Sequence, residues 1–381
     1  MKDSDTPSVD RKRVAVVLFN LGGPDGPEDV RPFLYNLFRD PAIISAPGLV
    51  RQAIAWLIST SRAKASRQNY ALIGGGSPIY RQTRFQAEAL RAALASDNDK
   101  YVFKTFIAMR YWKPFVHNVA REVRSWRPDE IVLLPLYPQF STTTTGSSLT
   151  AWKRAAPDLP TRTVCCYPQA EDFVEAHVKL IEKTWRDGGA PSNARVLFSA
   201  HGLPERTIER GDPYQWQVER TVTAVAERLP EELADHVICY QSRVGPLKWI
   251  GPSTEEEIRR AGADGRAIVL SPIAFVSEHV ETLVELDHEY AQLAATEGVS
   301  TFLRVPALGV ASGFVQALAR LVREALDGPT GMKPPGGKRQ CRPGRRGCPC
   351  ALPAGAEHAG GAGNRTSLHV AASKTEQEAH A

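Results

Sequence analysis

The feature that most constrains this 381-residue chain is a set of short, continuously apolar runs rich in β-branched residues. The clearest are residues 14–19, 131–134, 196–198 and 268–270; weaker ones are 101–108, 163–166 and 237–240. A strand with one wet face alternates apolar and polar residues. A strand apolar throughout must be covered on both faces, as in a parallel sheet. Between the runs lie stretches of helical spacing: Val174, Val178, Ile181 and Trp185, and again Val218, Val222, Val225 and Leu229. Strand followed by helix, repeated, predicts an α/β chain of Rossmann-like lobes, each a parallel sheet flanked by helices. The length favours two lobes. The expected division is a flexible N-terminus (1–12), a first lobe (13–140), a second lobe (141–325) and an extension (326–381). The Thr/Ser/Gly/Pro-containing stretch 141–158 is the expected link. From residue 351 the chain is Ala/Gly-rich and is expected to be disordered.

Charge narrows the partners. Residues 331–381 hold eight Lys/Arg and three Asp/Glu, a surplus of five, which equals the formal charge of the whole chain (+5). The first 330 residues are therefore neutral and offer no electrostatic footprint for nucleic acid. No run of about 18 apolar residues predicts a membrane-spanning helix. The polar start lacks the apolar stretch of a secretory signal, so a cytoplasmic protein is expected. Residues 33–66 differ from the rest: Phe33, Leu34, Leu37, Phe38, Ile43, Ile44, Leu49, Val50, Ile54, Trp56, Leu57 and Ile58 are broken by Pro41 and Pro47. They are either ordinary core or an apolar lip over a pocket, resting on the inner face of a membrane as a peripheral contact.

Ligands of open α/β sheets bind beyond the carboxyl ends of the strands. Every strand end here carries polar, aromatic or glycine residues, which points to one shared cleft. His201 follows the run 196–198 and precedes a Gly202/Pro204 turn; it is a candidate base or metal ligand, or else a structural histidine satisfied by backbone. After the run 268–270, Glu278, Glu281 and Glu285 recur at i, i+3 and i+7, with Ser277 as the expected N-cap. Such a row is either a solvated helix face or a path for protons and a hard cation. Neither the G-x-G-x-x-G spacing nor a Walker A sequence is present, so no nucleotide cofactor is expected.

Eight stretches, in order, resemble the ferrochelatase family: LFNLGGP (18–24), IGGGSPI (73–79), MRYWKP (109–114), LYPQFSTTTTGSS (136–148), FSAHGLP (198–204), GDPY (211–214), YQSRVGPLKWIGP (240–252) and SPIAFVSEHVETLVELD (271–287). The resemblance covers roughly residues 14–325. It implies two Rossmann-type lobes with four-stranded parallel sheets and a porphyrin cleft between them. It implies insertion of ferrous iron, a substrate, into protoporphyrin IX. His201 and Glu281 would be the catalytic pair, and His201, Glu281 and Glu285 the residues that meet iron. Leu21, Leu34, Trp249 and Phe275 would touch the macrocycle, and Arg110, Tyr111, Ser242 and Arg243 would line the cleft. A cobalt chelatase of the same fold and a non-catalytic tetrapyrrole carrier are the rival readings.

The six cysteines are Cys165, Cys166, Cys239, Cys341, Cys348 and Cys350. Some ferrochelatases hold a [2Fe–2S] cluster with cysteines of a C-terminal extension and one further cysteine. Cys341, Cys348 and Cys350 offer three thiolates toward the usual four. In the animal enzymes the further cysteine falls within the stretch matching 141–145, where this chain has only Ser and Thr. Cys165, Cys166 or Cys239 would have to complete the set. The alternative is a reduced or zinc-holding tail.

Overall fold

Residues that cannot face water become the central strands, and the amphipathic stretches after them cover both sheet faces. A computed structural model of the chain describes residues 11–350, apart from 97–99, 244, 246 and 343. The expected disorder of 351–381 lies outside the described residues, as do residues 1–10 of the expected flexible start. The strands among the described residues are β1 (Lys12–Asn20), β2 (Tyr101–Met109), β3 (Glu130–Pro135), β4 (Arg162–Val164), β5 (Ala194–His201), β6 (His236–Gln241), β7 (Ala267–Pro272), β8 (Phe302–Arg304) and β9 (Gly331–Lys333). The α-helices are α1 (Val30–Phe38), α2 (Gly48–Ala71), α3 (Ile79–Ala95), α4 (Val116–Trp126), α5 (Thr145–Ala155), α6 (Glu171–Asp187), α7 (Glu205–Glu209), α8 (Tyr214–Ala226), α9 (Thr254–Ala263), α10 (Tyr290–Thr296) and α11 (Ser312–Asp327).

Two sheets form, ordered β2-β1-β3-β4-β9 and β6-β5-β7-β8, and every pairing is parallel. Each of the seven apolar runs contributes to a strand, the run 163–166 only through its first two residues. The central strands are buried along almost their whole length, whereas β2, at an edge, alternates. Two expectations are corrected. The first sheet has five strands rather than four, because β9, from the extension, pairs with β4. The division after residue 140 also does not separate the sheets: β4 and β9 join the first, and α11 packs on α3, α6, β3 and β4. One apolar core consequently runs through both halves, from Val14, Val16 and Leu18 of β1 to Val196 and Phe198 of β5.

In each sheet the chain reverses its direction of travel across the sheet: between β1 and β3 in the first, and between β5 and β7 in the second. These crevices are where α/β sheets bind ligands. A buried polar seam brings the two together. Asn20, at the end of β1, donates to Thr83 Oγ1 (3.0 Å) and Ser277 Oγ (3.4 Å). Gln86 of α3 donates to the Val276 and Gly309 carbonyls (2.7 and 3.0 Å) and accepts from Ser277 Oγ (2.9 Å). Ser277, expected as a helix cap, is therefore used to tie the segment after β7 to the first sheet.

His177 of α6 is buried against the edge of Phe173 (centroids 4.8 Å apart), and its Nε2 has no hydrogen-bond partner. Burial lowers its pKa to about 3. The unfolded chain takes up this proton near the ordinary value of about 6.5, so stability is fully present above that pH and is lost as pH falls toward 3. Urea unfolding at pH 7 and pH 4 should show wild type losing roughly 3 kcal/mol more than His177→Leu over that interval. Equal losses in the two proteins would contradict this.

Candidate active site

His201 is the last residue of β5, in the crevice of the second sheet. Its Nδ1 lies 2.7 Å from the Gly202 carbonyl. A carbonyl only accepts, so Nδ1 carries a proton and Nε2 is turned toward Glu281. Gly202 is required by close approach. A Cβ there would meet Gln241 O at 3.0 Å, Trp249 Cε3 at 3.3 Å and Arg243 Cγ at 3.4 Å. The loop after β6 thus folds over the turn after His201. It is pinned by Gly202 N to Gln241 O (2.9 Å) and Ile250 N to Leu203 O (3.0 Å).

The carboxylates come from the segment after β7. An α-helix capped at Ser277 is the expectation; instead Glu281–Glu289 is a π-helix, and the Tyr290 N–H bonds Glu285 O, the i→i+5 pattern. This spacing still keeps Glu281 and Glu285 on one side, one turn apart. Glu281 Oε1 lies 3.7 Å from His201 Nε2, and Oε2 lies 3.4 Å from His279 Nε2. His279 is buried, rests on the Phe275 ring (4.7 Å) and places its Nδ1 3.2 Å from the Ser277 carbonyl. The ring thus lies between two acceptors, the Ser277 carbonyl and Glu281 Oε2. Burial pushes the Glu281 carboxyl up, but the charges of His201 and His279 and the His279 hydrogen bond outweigh it and hold it at about 2. Glu281 is thus a fixed anion between two imidazoles. Its charge also reaches Tyr70 of α2 and Tyr214 of α8, whose hydroxyls are raised mainly by burial.

Glu278 does not share that face. It pairs with Arg304 (2.6 Å) and accepts from Ala307 N (2.9 Å), and Arg304 also holds Asp287. Glu285 accepts from Ser242 N (2.8 Å), Ser242 Oγ, Gln241 Nε2 (3.1 Å) and Tyr290 OH (2.9 Å). Burial and the neighbouring Glu281 push its carboxyl up.

The remaining residues divide by placement. Leu21, Ser242, Trp249 and Phe275 are half-buried and Arg243 is exposed, its guanidinium 3.5 Å from Glu256. Two residues expected in the cleft are instead inside the lip. Leu34 is buried among Val30, Phe33, Tyr70, Tyr111 and Trp112. Tyr111 is buried with its hydroxyl 2.8 Å from Asp40. Arg110 is likewise held, by Asp40 (2.7 Å) and Ser147 Oγ (2.6 Å). Asp40, which the sequence does not single out, also accepts from Ser147 Oγ and Ala42 N and anchors the end of α1 to β2 and α5. The lip cluster reaches Leu21 and Val280, so it lies beside Glu281.

Five cysteines converge beyond the end of β4 and along α8. Cys165 and Cys166, directly after β4, are buried with Phe140, and Cys350 packs on them; Cys341 and Cys348 are buried against Trp216 of α8. Hydrogen bonds from Cys165, Cys341 and Cys350 push the Cys348 thiol far down, which places the four side by side. Gln217 Nε2 donates to Cys341 Sγ (3.2 Å). Cys239 is elsewhere, behind β6 beside Thr254. Among the described residues no three His, Cys, Asp or Glu side chains are arranged around a single ion.

Two parallel sheets whose switch points carry an imidazole Nε2 beside a fixed carboxylate, with apolar residues around them, have the form of a chelatase-type protein. A solved structure, SirB from Bacillus subtilis with Fe3+, is similar in fold: TM-score 0.50 at 14% identity, covering 82% of this chain and 95% of that one. The ferrochelatase family model matches residues 13–326. The chain is 59% identical over 317 residues to the ferrochelatase of Phenylobacterium zucineum (83% of this chain, 92% of that protein). It is 58% identical over 316 residues to that of Caulobacter vibrioides (83% and 91%). With Hyphomonas neptunium ferrochelatase it shares 55% over 342 residues (89% and 95%). The chain belongs to the ferrochelatase family.

Proposed function

We infer that this protein inserts ferrous iron into protoporphyrin IX to form haem. The observation that carries the chemistry is the Glu281 carboxylate held between His201 and His279. Insertion must remove two pyrrole N–H protons and bring a divalent cation to the ring nitrogens. In its neutral form His201 offers the Nε2 lone pair, which accepts the two pyrrole protons in turn and releases each to water, the ring being part-exposed, or ligates the entering metal. The resulting positive charge lies 3.7 Å from the ionised Glu281, which is already in place and needs no reorganisation. A carboxyl held at about 2 does not keep the proton itself. Leu21, Trp249 and Phe275 offer apolar contact to the macrocycle, and the exposed Arg243 is placed to meet a propionate. His201→Ala should cut insertion at least about 100-fold, the usual worth of a general base, and change porphyrin affinity less than about threefold. Stopped-flow insertion and porphyrin fluorescence titration read the two separately; near-wild-type turnover would overturn the assignment.

We propose that Cys165, Cys341, Cys348 and Cys350 hold a [2Fe–2S] cluster. Four neighbouring soft thiols, with an amide N–H on Cys341, support this reading. These four thiols would hold such a cluster, and it would supply a redox-active link between chain segments. Here the thiols come from the end of β4 and from the extension, with α8 alongside. Protein purified anaerobically should show cluster absorption and about two irons and two sulfides per chain. Cys165→Ser should lose them. Retention of the cluster in that variant would exclude Cys165 as the fourth ligand.

We propose, finally, that α2 rests on an anionic membrane surface. No described helix is long and apolar enough to cross a membrane. Yet Leu49 (83% exposed), Trp56 (54%) and Leu57 (62%) face outward. The helix carries Arg51, Arg62, Lys64 and Arg67 and no acidic residue. Apolar side chains beside cations suit a negatively charged interface. The protein should float with vesicles containing anionic phospholipid, and Trp56→Glu/Leu57→Glu should stay in the soluble fraction. Wild type that does not float would refute the contact.

A further inference from the structure

The resemblance assigns Glu285 to an iron path, but its oxygens are already engaged. A carboxylate offers about four lone-pair sites. Four donors point at this one: Ser242 N, Ser242 Oγ, Gln241 Nε2 and Tyr290 OH. An ion at Glu285 would have to displace them. Two of the donors belong to Ser242, whose φ is +61°. A serine adopts that left-handed conformation only where its surroundings hold it there. The adjacent Gln241 is fixed in turn by Ser199 Oγ donating to its Oε1 (2.9 Å).

What this turn controls is the loop after β6. From Ser242 the chain runs through Arg243 to Trp249, and both press on Gly202, beside His201. Trp249 bridges Pro204, and Glu205 N bonds Lys248 O (2.9 Å). If Ser242 relaxed to an ordinary φ, the direction of the chain leaving β6 would change and this wall would shift.

We propose that Glu285 is a positioning residue that locks the Ser242 turn, and so sets the porphyrin-facing wall of Arg243 and Trp249, rather than a ligand for travelling iron. The proposal rests on the functional reading above, and the test keeps the two apart. Porphyrin affinity is measured by fluorescence without iron, and KM is measured separately for protoporphyrin and for ferrous iron. Glu285→Gln turns one acceptor oxygen into a donor. It should weaken porphyrin binding and raise the porphyrin KM by about tenfold, roughly the loss of one hydrogen bond to a charged group, while the iron KM moves less than about twofold. Tyr290→Phe, which removes one donor and keeps the ring, should do the same on a smaller scale, and it serves if Glu285→Gln does not fold. A rise in iron KM with porphyrin affinity unchanged, or equal rises in both, would overturn the proposal. Wild type that binds no porphyrin would remove the functional reading and this inference with it.

Discussion

The cleft depends on one interaction, the Glu281 carboxylate set between the imidazoles of His201 and His279. A buried carboxylate without partners would protonate to escape the cost of desolvation. Two imidazoles reverse that balance and keep it ionised. The arrangement requires that β5 deliver His201 and that the segment after β7 deliver both His279 and Glu281, across the switch point of the second sheet. The seam of Asn20, Gln86 and Ser277 then fixes that segment against the first sheet. Hydrogen bonds add to the apolar packing of Ile273, Val276 and Val280 in setting its position.

The same logic separates the two carboxylates on the π-helix. Glu281 faces imidazoles and stays charged. Glu285, one turn on, faces amide and hydroxyl donors, and its carboxyl is pushed up by burial and by Glu281. Similar groups with different surroundings divide the work: one for charge at the reacting centre, the other for the geometry of the wall beside it.

Much of the fold was legible because buried parallel strands cannot hide: residues 14–19, 196–198 and 268–270 have no polar residue to offer water. The strands β8 and β9 were not legible. Each is three residues long, and pairing partners rather than local pattern decide them. His201 and the acidic row of Glu278, Glu281 and Glu285 stood out by their places after strands, and only the resemblance singled out Glu281 within that row. The π-helix could not, since its sequence also fits an α-helical period. Asp40 is an isolated acid in an apolar stretch, and only the fold reveals that Arg110, Tyr111 and Ser147 all converge on it. The meeting of Cys165 with Cys341, Cys348 and Cys350 spans 176 to 185 residues of sequence and depends on β9 returning to β4.

The most direct measurement is to mix the purified protein anaerobically with protoporphyrin IX and ferrous iron and follow the absorption spectrum. Loss of the free-porphyrin bands with haem bands appearing over many turnovers is the expected result. Porphyrin bound tightly but left metal-free, with iron in excess, would contradict the account and turn attention to a carrier or to another metal such as cobalt.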